Sequence, residues 1–101
     1  SGNIGDKHAF FEPVHGSAPK YSGMNKVNPI ASVNSIQMMM DWLGRKNNNQ
    51  EIINVASAIE ESVSEHLKEG KHLTYDLGGD STCSMVGDLI SQRLANILKE
   101  N

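Results

Sequence analysis

Apolar side chains fall into three stripes of helical period, divided by clusters of glycine, proline and asparagine. Ile30, Val33, Ile36, Met40 and Leu43 recur every three to four residues, and Met38, Met39 and Trp42 widen their stripe, which predicts a helix over about 29–43. Asn28 followed by Pro29 reads as an N-cap with proline at the first helical position, where its missing N–H costs nothing. Gly44 is the expected stop. A helix apolar on more than one side lies deep in a core or at an interface. After the polar run Asn47-Asn48-Asn49-Gln50, a second helix is predicted over about 51–69. Its inward face is Ile52, Val55, Ala56, Ile59, Val63 and Leu67, its water side Glu60, Glu61 and Glu65, and Gly70 lies past its end. A third is predicted over about 83–99, capped by Ser81 or Thr82. It buries Val86, Leu89, Ile90, the stem of Arg93, Leu94, Ile97 and Leu98.

Ahead of these helices, Ala9-Phe10-Phe11 reads as one short strand that Pro13 ends. Pro13 to Asn28 is a long loop punctuated by Pro13, Gly16, Pro19 and Gly23, and loops of that size are usually functional or mobile. Leu73 to Asp80 combines a short extended segment with a double-glycine turn at Gly78-Gly79. The expected class is α/β, mostly helical, with a short strand near 9–11. Three helices and one strand do not close a sheet, so the chain reads as a piece of a larger domain that is marginal alone.

At 101 residues, one domain or part of one is expected. Nine Lys and Arg against twelve Asp and Glu provide no broad positive field, so nucleic acid is not an expected partner. No run approaches the roughly 20 apolar residues that cross a bilayer. A single cysteine, Cys83, excludes an internal disulfide framework and favours a reducing compartment. The cytoplasm is expected, with a reducing organelle such as the mitochondrial matrix as the alternative.

The chemistry therefore falls on the two glycine-containing loops. In the first, Glu12-Pro13-Val14-His15-Gly16-Ser17-Ala18-Pro19-Lys20-Tyr21, small residues let backbone approach a flat or charged ligand, and the helix beyond Asn28 offers free N–H groups. A ligand-free loop closed by proline and glycine is the even alternative. His15 can meet a base or satisfy loop carbonyls, and spacing alone does not decide. Lys20 and Tyr21 suit a phosphate, though a solvated lysine beside a packed tyrosine is commoner. His8, His15, His66 and His72 lack zinc-site spacing. Neither a dinucleotide glycine fingerprint nor a Walker loop is present, and no G-x-S-x-G elbow occurs. Cys83, at a predicted helix start, reads as a small packed or capping residue ahead of a reactive thiol.

Taken as one string, Asn3-Ile4-Gly5-Asp6-Lys7, Phe11-Glu12, His15-Gly16-Ser17-Ala18-Pro19, Gly23 and Asn28-Pro29, with Thr74-Tyr75-Asp76-Leu77-Gly78-Gly79 downstream, closely resembles the C-terminal part of the isocitrate and isopropylmalate dehydrogenases. These metal-dependent β-decarboxylating dehydrogenases bind NAD or NADP without the usual glycine fingerprint. The resemblance covers nearly the whole chain and implies that residues 1–101 are a C-terminal cofactor-binding segment. It implies that His15, Gly16, Ser17 and Ala18 form an adenosine-binding loop, and that Asn28 hydrogen-bonds adenine. It also places Glu12 near the nicotinamide ribose and Asp76 beside the adenine ribose.

Lys20, Tyr21, Val27 and Tyr75 resemble the family's NADP set, because NAD-linked relatives commonly have at position 20 an acidic residue that accepts from both ribose hydroxyls and repels a 2′-phosphate. One member departs from that set: Gly79 stands where an arginine often follows, and Gly78-Gly79 resembles NAD-type relatives. NADP is the expected cofactor, with NAD as the alternative. The implied reaction is oxidative decarboxylation of a 2-hydroxy-3-carboxy acid. Isocitrate is expected ahead of 3-isopropylmalate, homoisocitrate, tartrate or malate, with Mg²⁺ or Mn²⁺ held by residues outside this segment. No catalytic or metal-ligating residue is assigned within it, so the segment alone is expected to be inactive. A noncatalytic nucleotide-binding module or regulatory subunit is the alternative of another class. The full protein is expected to be a homo-oligomer.

Overall fold

The structure is a computed structural model that describes residues 2–5, 7–13 and 19–100. The chain opens with a small antiparallel hairpin of β1 (Gly2–Ile4) and β2 (Ala9–Phe11), in the register Gly2 to Phe11, Asn3 to Phe10 and Ile4 to Ala9. β2 is the predicted strand. β1 corrects the single-strand reading: Gly-Asn-Ile has little strand propensity, and pairing with β2 makes it extended. The Gly5 N–H closes the turn on the His8 carbonyl at 2.8 Å.

The three helices are α1 (Ile30–Lys46), α2 (Gln50–Glu69) and α3 (Cys83–Glu100). Asn28 opens α1 as expected: its Oδ1 accepts from the Ile30 N–H at 2.9 Å, and Pro29 already has helical angles, φ −82° and ψ −3°. Gly44 is not the stop. The helix continues through it because Gly44 serves a close approach, where a Cβ would lie 2.7 Å from Ile53 Cγ1 and 2.9 Å from the Ile53 nitrogen of α2. Termination comes three residues later, where Asn47 Nδ2 donates to the Leu43 carbonyl at 2.8 Å and Asn48 turns into the left-handed region at φ 51°. Asn49 then caps α2, its side chain accepting from Ile52 N–H. Gly70 ends α2 in the left-handed conformation, φ 67°, as expected. At α3, Thr82 supplies the cap, accepting from Met85 N–H at 3.1 Å.

α2 packs against both α1 and α3. The core cluster is Val63, Val86 and Ile90, with Ile30 and Val33 of α1 packed on it. On α2 the buried stripe runs through Ile59, Ser62, Val63 and His66, a clean i, i+3, i+4, i+7 set. Leu67, expected inside, falls at its edge and is 42% exposed. Two polar residues hold the stripe because local carbonyls satisfy them: Ser62 Oγ donates to Ile59 O at 2.7 Å, and His66 Nε2 lies 2.7 Å from His72 O. Ile36 and Leu98 are also corrections, at 51% and 41% exposed, since each falls outside the buried set of its helix. Glu65 leaves the water side to join Glu69 around the Arg93 guanidinium, which reaches them at 3.6 and 2.8 Å and ties α3 to α2.

The hairpin rests on the second half of α1, with Phe11 and Trp42 rings 6.3 Å apart and Lys46 donating to the Lys7 carbonyl. The radius of gyration is 14.7 Å, against about 13 Å for a compact domain of this length. That excess fits the apolar side chains left outside, including Ile4, Phe10, Ile36 and Met39.

Candidate functional site at the junction of two loops

The loop ahead of α1 and the loop between α2 and α3 meet at the N-terminal ends of α1 and α3. Pro19–Tyr21 forms a 3-10 turn, closed by Met24 N–H on Tyr21 O at 3.0 Å. Tyr75–Leu77 forms a second 3-10 turn in place of the extended segment expected there. It is wound tight by backbone bonds from Leu77 and Gly79 to Thr74 O and from Ser81 to Leu73 O. Gly78 takes φ 85°, and at Gly79 a Cβ would overlap the Leu73 carbonyl oxygen and lie 2.6 Å from its carbon. No side chain fits at position 79.

Across this junction Asn28 Nδ2 donates to Asp76 Oδ2 at 3.1 Å, while the buried Thr74 hydroxyl donates to the other carboxylate oxygen. Burial pushes the Asp76 carboxyl up, but the bonds from Thr74, Asn28 and its own backbone N–H outweigh that and hold it below the usual carboxylate range. The Tyr21 and Tyr75 rings pack 4.8 Å apart at 44°. Lys20 and Lys26 bring their Nζ atoms to 5.6 and 5.8 Å from the Tyr21 ring centroid. Neither lysine forms an ion pair among the described residues.

Of the expected site residues, the structure brings Lys20, Tyr21, Asn28, Tyr75 and Asp76 to this junction, with Val27 exposed beside Asn28. Glu12 belongs to the hairpin end. Its neighbour Phe11 meets Trp42, about 20 Å along α1 from Asn28 at 1.5 Å per residue. His15, Gly16, Ser17 and Ala18 lie outside the described residues.

Two residues outside the expected site set build the junction. Asn25, in the left-handed region at φ 56°, accepts from Cys83 N–H through its carbonyl oxygen. Its side chain clasps Ser84, with Oδ1 accepting from the backbone N–H at 2.9 Å and Nδ2 donating to Oγ at 2.7 Å. Thr74 completes the Asp76 cradle. Thr-x-Asp is a local hydrogen-bonding pattern and was a usable signal, whereas Asn25 reads only as a turn former. Cys83 serves the junction through its backbone.

A separate groove lies between the hairpin and α1. Its volume is about 600 Å³, with Ile4, Phe11, Met38 and Trp42 on its walls. It is open and mostly apolar; of its charged members, Asp41 and Arg45 are paired with each other at 3.0 Å, and Lys46 lies over the Trp42 ring. Among the described residues no three His, Cys, Asp or Glu side chains converge as a metal site, and no helix is long and apolar enough to cross a membrane.

Residues 1–90 match the isocitrate/isopropylmalate dehydrogenase family, and the chain belongs to it. This is a family of β-decarboxylating dehydrogenases that typically use NAD(P) and a divalent metal. The chain is 41% identical over 97 residues to isocitrate/homoisocitrate dehydrogenase of Thermus thermophilus, covering 96% of this chain and 27% of that protein. It is 43% identical over 101 residues to a mitochondrial regulatory subunit of the NAD isocitrate dehydrogenase of Dictyostelium discoideum, covering 99% of this chain and 27% of that protein. With 3-isopropylmalate dehydrogenase of Sulfurisphaera tokodaii it shares 41% over 92 residues, covering 91% of this chain and 26% of that protein. The chain thus spans about a quarter of the length of these curated relatives.

Proposed function

We propose that residues 1–101 are the C-terminal cofactor-binding segment of an NADP-linked dehydrogenase that oxidatively decarboxylates a 2-hydroxy-3-carboxy acid, with isocitrate as the leading substrate. The observation that carries the reading is the Asn28–Asp76–Thr74 chain of hydrogen bonds. It commits both ends of the Asn28 amide inside the protein, one to Asp76 and one to Ile30. Contact with adenine then falls to the main-chain N–H and C=O of Asn28, which take no partner among the described residues. A neighbouring donor and acceptor match the N1 acceptor and the 6-amino donor on adenine's edge. Both Asp76 oxygens are likewise engaged, so its main work is to hold Asn28, with ribose contact made through remaining lone pairs.

The donor set suits a dinucleotide. Lys20 has no acidic partner among the described residues and would take the 2′-phosphate, the Tyr21–Tyr75 pair would wall the ribose, and Val27 would offer apolar contact. In this reading the loop of His15, Gly16, Ser17 and Ala18 lies along the adenosine, and Glu12 serves the nicotinamide end. A coenzyme held there would supply the hydride acceptor for oxidation of the carbon bearing the 2-hydroxyl. Mg²⁺ or Mn²⁺, the hydroxy-acid substrate and homo-oligomeric contacts belong to residues outside this segment, and a cytoplasmic setting fits the lone cysteine.

Initial rates of the whole protein with isocitrate, homoisocitrate and 3-isopropylmalate, each with NADP and NAD, test the proposal through kcat/KM. Isocitrate with NADP is expected to lead, and Lys20→Asp to move preference toward NAD by about tenfold or more, the size of a lost charge-assisted hydrogen bond. Equal use of both coenzymes, unaffected by Lys20→Asp, would reject the NADP assignment. The name of the Dictyostelium relative favours a second reading, a regulatory role within an NAD-linked assembly. Coenzyme binding without turnover of any of the three acids would select it.

A further inference from the structure

We propose that Lys26 is a second determinant of coenzyme choice, sharing the 2′-phosphate with Lys20. The proposal rests on the reading of the loop junction as the adenosine site. Lys20 and Lys26 reach the Tyr21 ring at 5.6 and 5.8 Å, so their ammonium groups are at most 11.4 Å apart, the sum of those two distances. No described carboxylate pairs with either. Two like charges drawn to one aromatic ring without a counterion form a site for an anion, and a phosphomonoester carries between one and a half and two negative charges at neutral pH.

The opposite loop cannot supply the second cation at position 79, because a Cβ there would overlap the Leu73 carbonyl and lie 2.9 Å from the Leu73 Cβ. Its carboxylate, Asp76, is closed by Thr74 and Asn28. The cations described beside the Tyr21 ring both come from the loop ahead of α1. Lys26 is well placed as the second cation, since the preceding Asn25 is fastened to the start of α3 by three hydrogen bonds of 2.7–2.9 Å. Lys20 sits on the separate 3-10 turn, so the two cations approach from independently anchored backbone.

Calorimetric titration of the whole protein with adenosine 2′,5′-bisphosphate and with 5′-AMP isolates the 2′-phosphate, the sole difference between the probes. Lys26→Ala is expected to weaken the bisphosphate about tenfold and leave 5′-AMP within about twofold. Lys26→Arg should retain most of the affinity. Loss of affinity with added salt should be shallower in Lys26→Ala than in the parent. The proposal is overturned if Lys26→Ala keeps the full preference for the bisphosphate while Lys20→Ala abolishes it. It is also overturned if Lys26→Ala weakens both probes alike. A parent protein that binds neither probe would reject the adenosine site itself, a result distinct from either of these.

Discussion

Gly79→Ala should be among the most damaging single-methyl additions in this chain, and Gly78→Ala and Gly87→Ala provide its controls. At Gly79 the new Cβ would overlap the Leu73 carbonyl oxygen, with the carbonyl carbon at 2.6 Å and Leu73 Cβ at 2.9 Å. These are mostly backbone atoms, so the loop has to open. Opening it strains the bonds from Gly79 N–H to Thr74 O at 3.0 Å and from Ser81 N–H to Leu73 O at 2.9 Å. Overpacking costs about 1–3 kcal/mol and each backbone bond about 1 kcal/mol, which places the loss at roughly 3–5 kcal/mol. Gly78 has open space around its Cβ position but sits at φ 85°, so alanine there should cost only about 1–2 kcal/mol. Gly87, inside α3 with nothing near its Cβ position, should gain about 0.8–1 kcal/mol from the better helix former. Urea melts of the three variants in the whole protein measure the order directly. If Gly79→Ala proves no more destabilising than Gly78→Ala, the close approach to Leu73, and with it the exclusion of a side chain at position 79, is wrong.

Asp76→Asn should narrow its stability deficit in acid. The folded carboxyl lies below its ordinary 3.8, so its contribution is complete above that value and disappears as pH falls through the lower folded value. Melts of parent and variant from pH 7 to pH 3 should converge only at the acid end, and a gap independent of pH would refute the hydrogen-bonded carboxylate. Ile90→Ala removes a side chain 3% exposed from the Val63–Val86 cluster and should cost about 2–5 kcal/mol, read from the same melts.

The helices were legible because their signals are local. Apolar period, the Asn28-Pro29 start and the Gly70 stop each reside within a few residues, and the structure keeps them. Gly44 was misread because a helix-ending glycine and a glycine that admits a neighbouring helix look alike in sequence. Which role applies depends on Ile53, nine residues on, and the stop is instead built from Asn47 and Asn48. β1 was hidden for a related reason, since its extended form is imposed by pairing with β2. Ser62 and His66 escaped the core prediction because hydrophobic periodicity does not register a polar side chain whose partner is a nearby carbonyl.

At the loop junction the same division holds with more consequence. The residue types in the two loops are visible in sequence, and their resemblance to a dehydrogenase segment identified Lys20, Tyr21, Asn28, Tyr75 and Asp76 together. The bond that joins them, Asn28 to Asp76, spans 48 positions, and the one that fixes the loop to α3, Asn25 to Ser84, spans 59. No periodicity or capping rule reaches so far. That long-range pairing changes the chemistry assigned to each residue: Asn28, expected to meet adenine, has its amide bonded to Asp76 and to the Ile30 N–H, and Asp76, expected beside the ribose, is first a support for Asn28. If the junction is the proposed adenosine site, a variant that removes the Asp76 carboxylate should affect adenine recognition and ribose recognition together. Asp76→Asn is expected to weaken both 5′-AMP and free adenine, whereas a residue acting only on ribose would weaken 5′-AMP and spare free adenine.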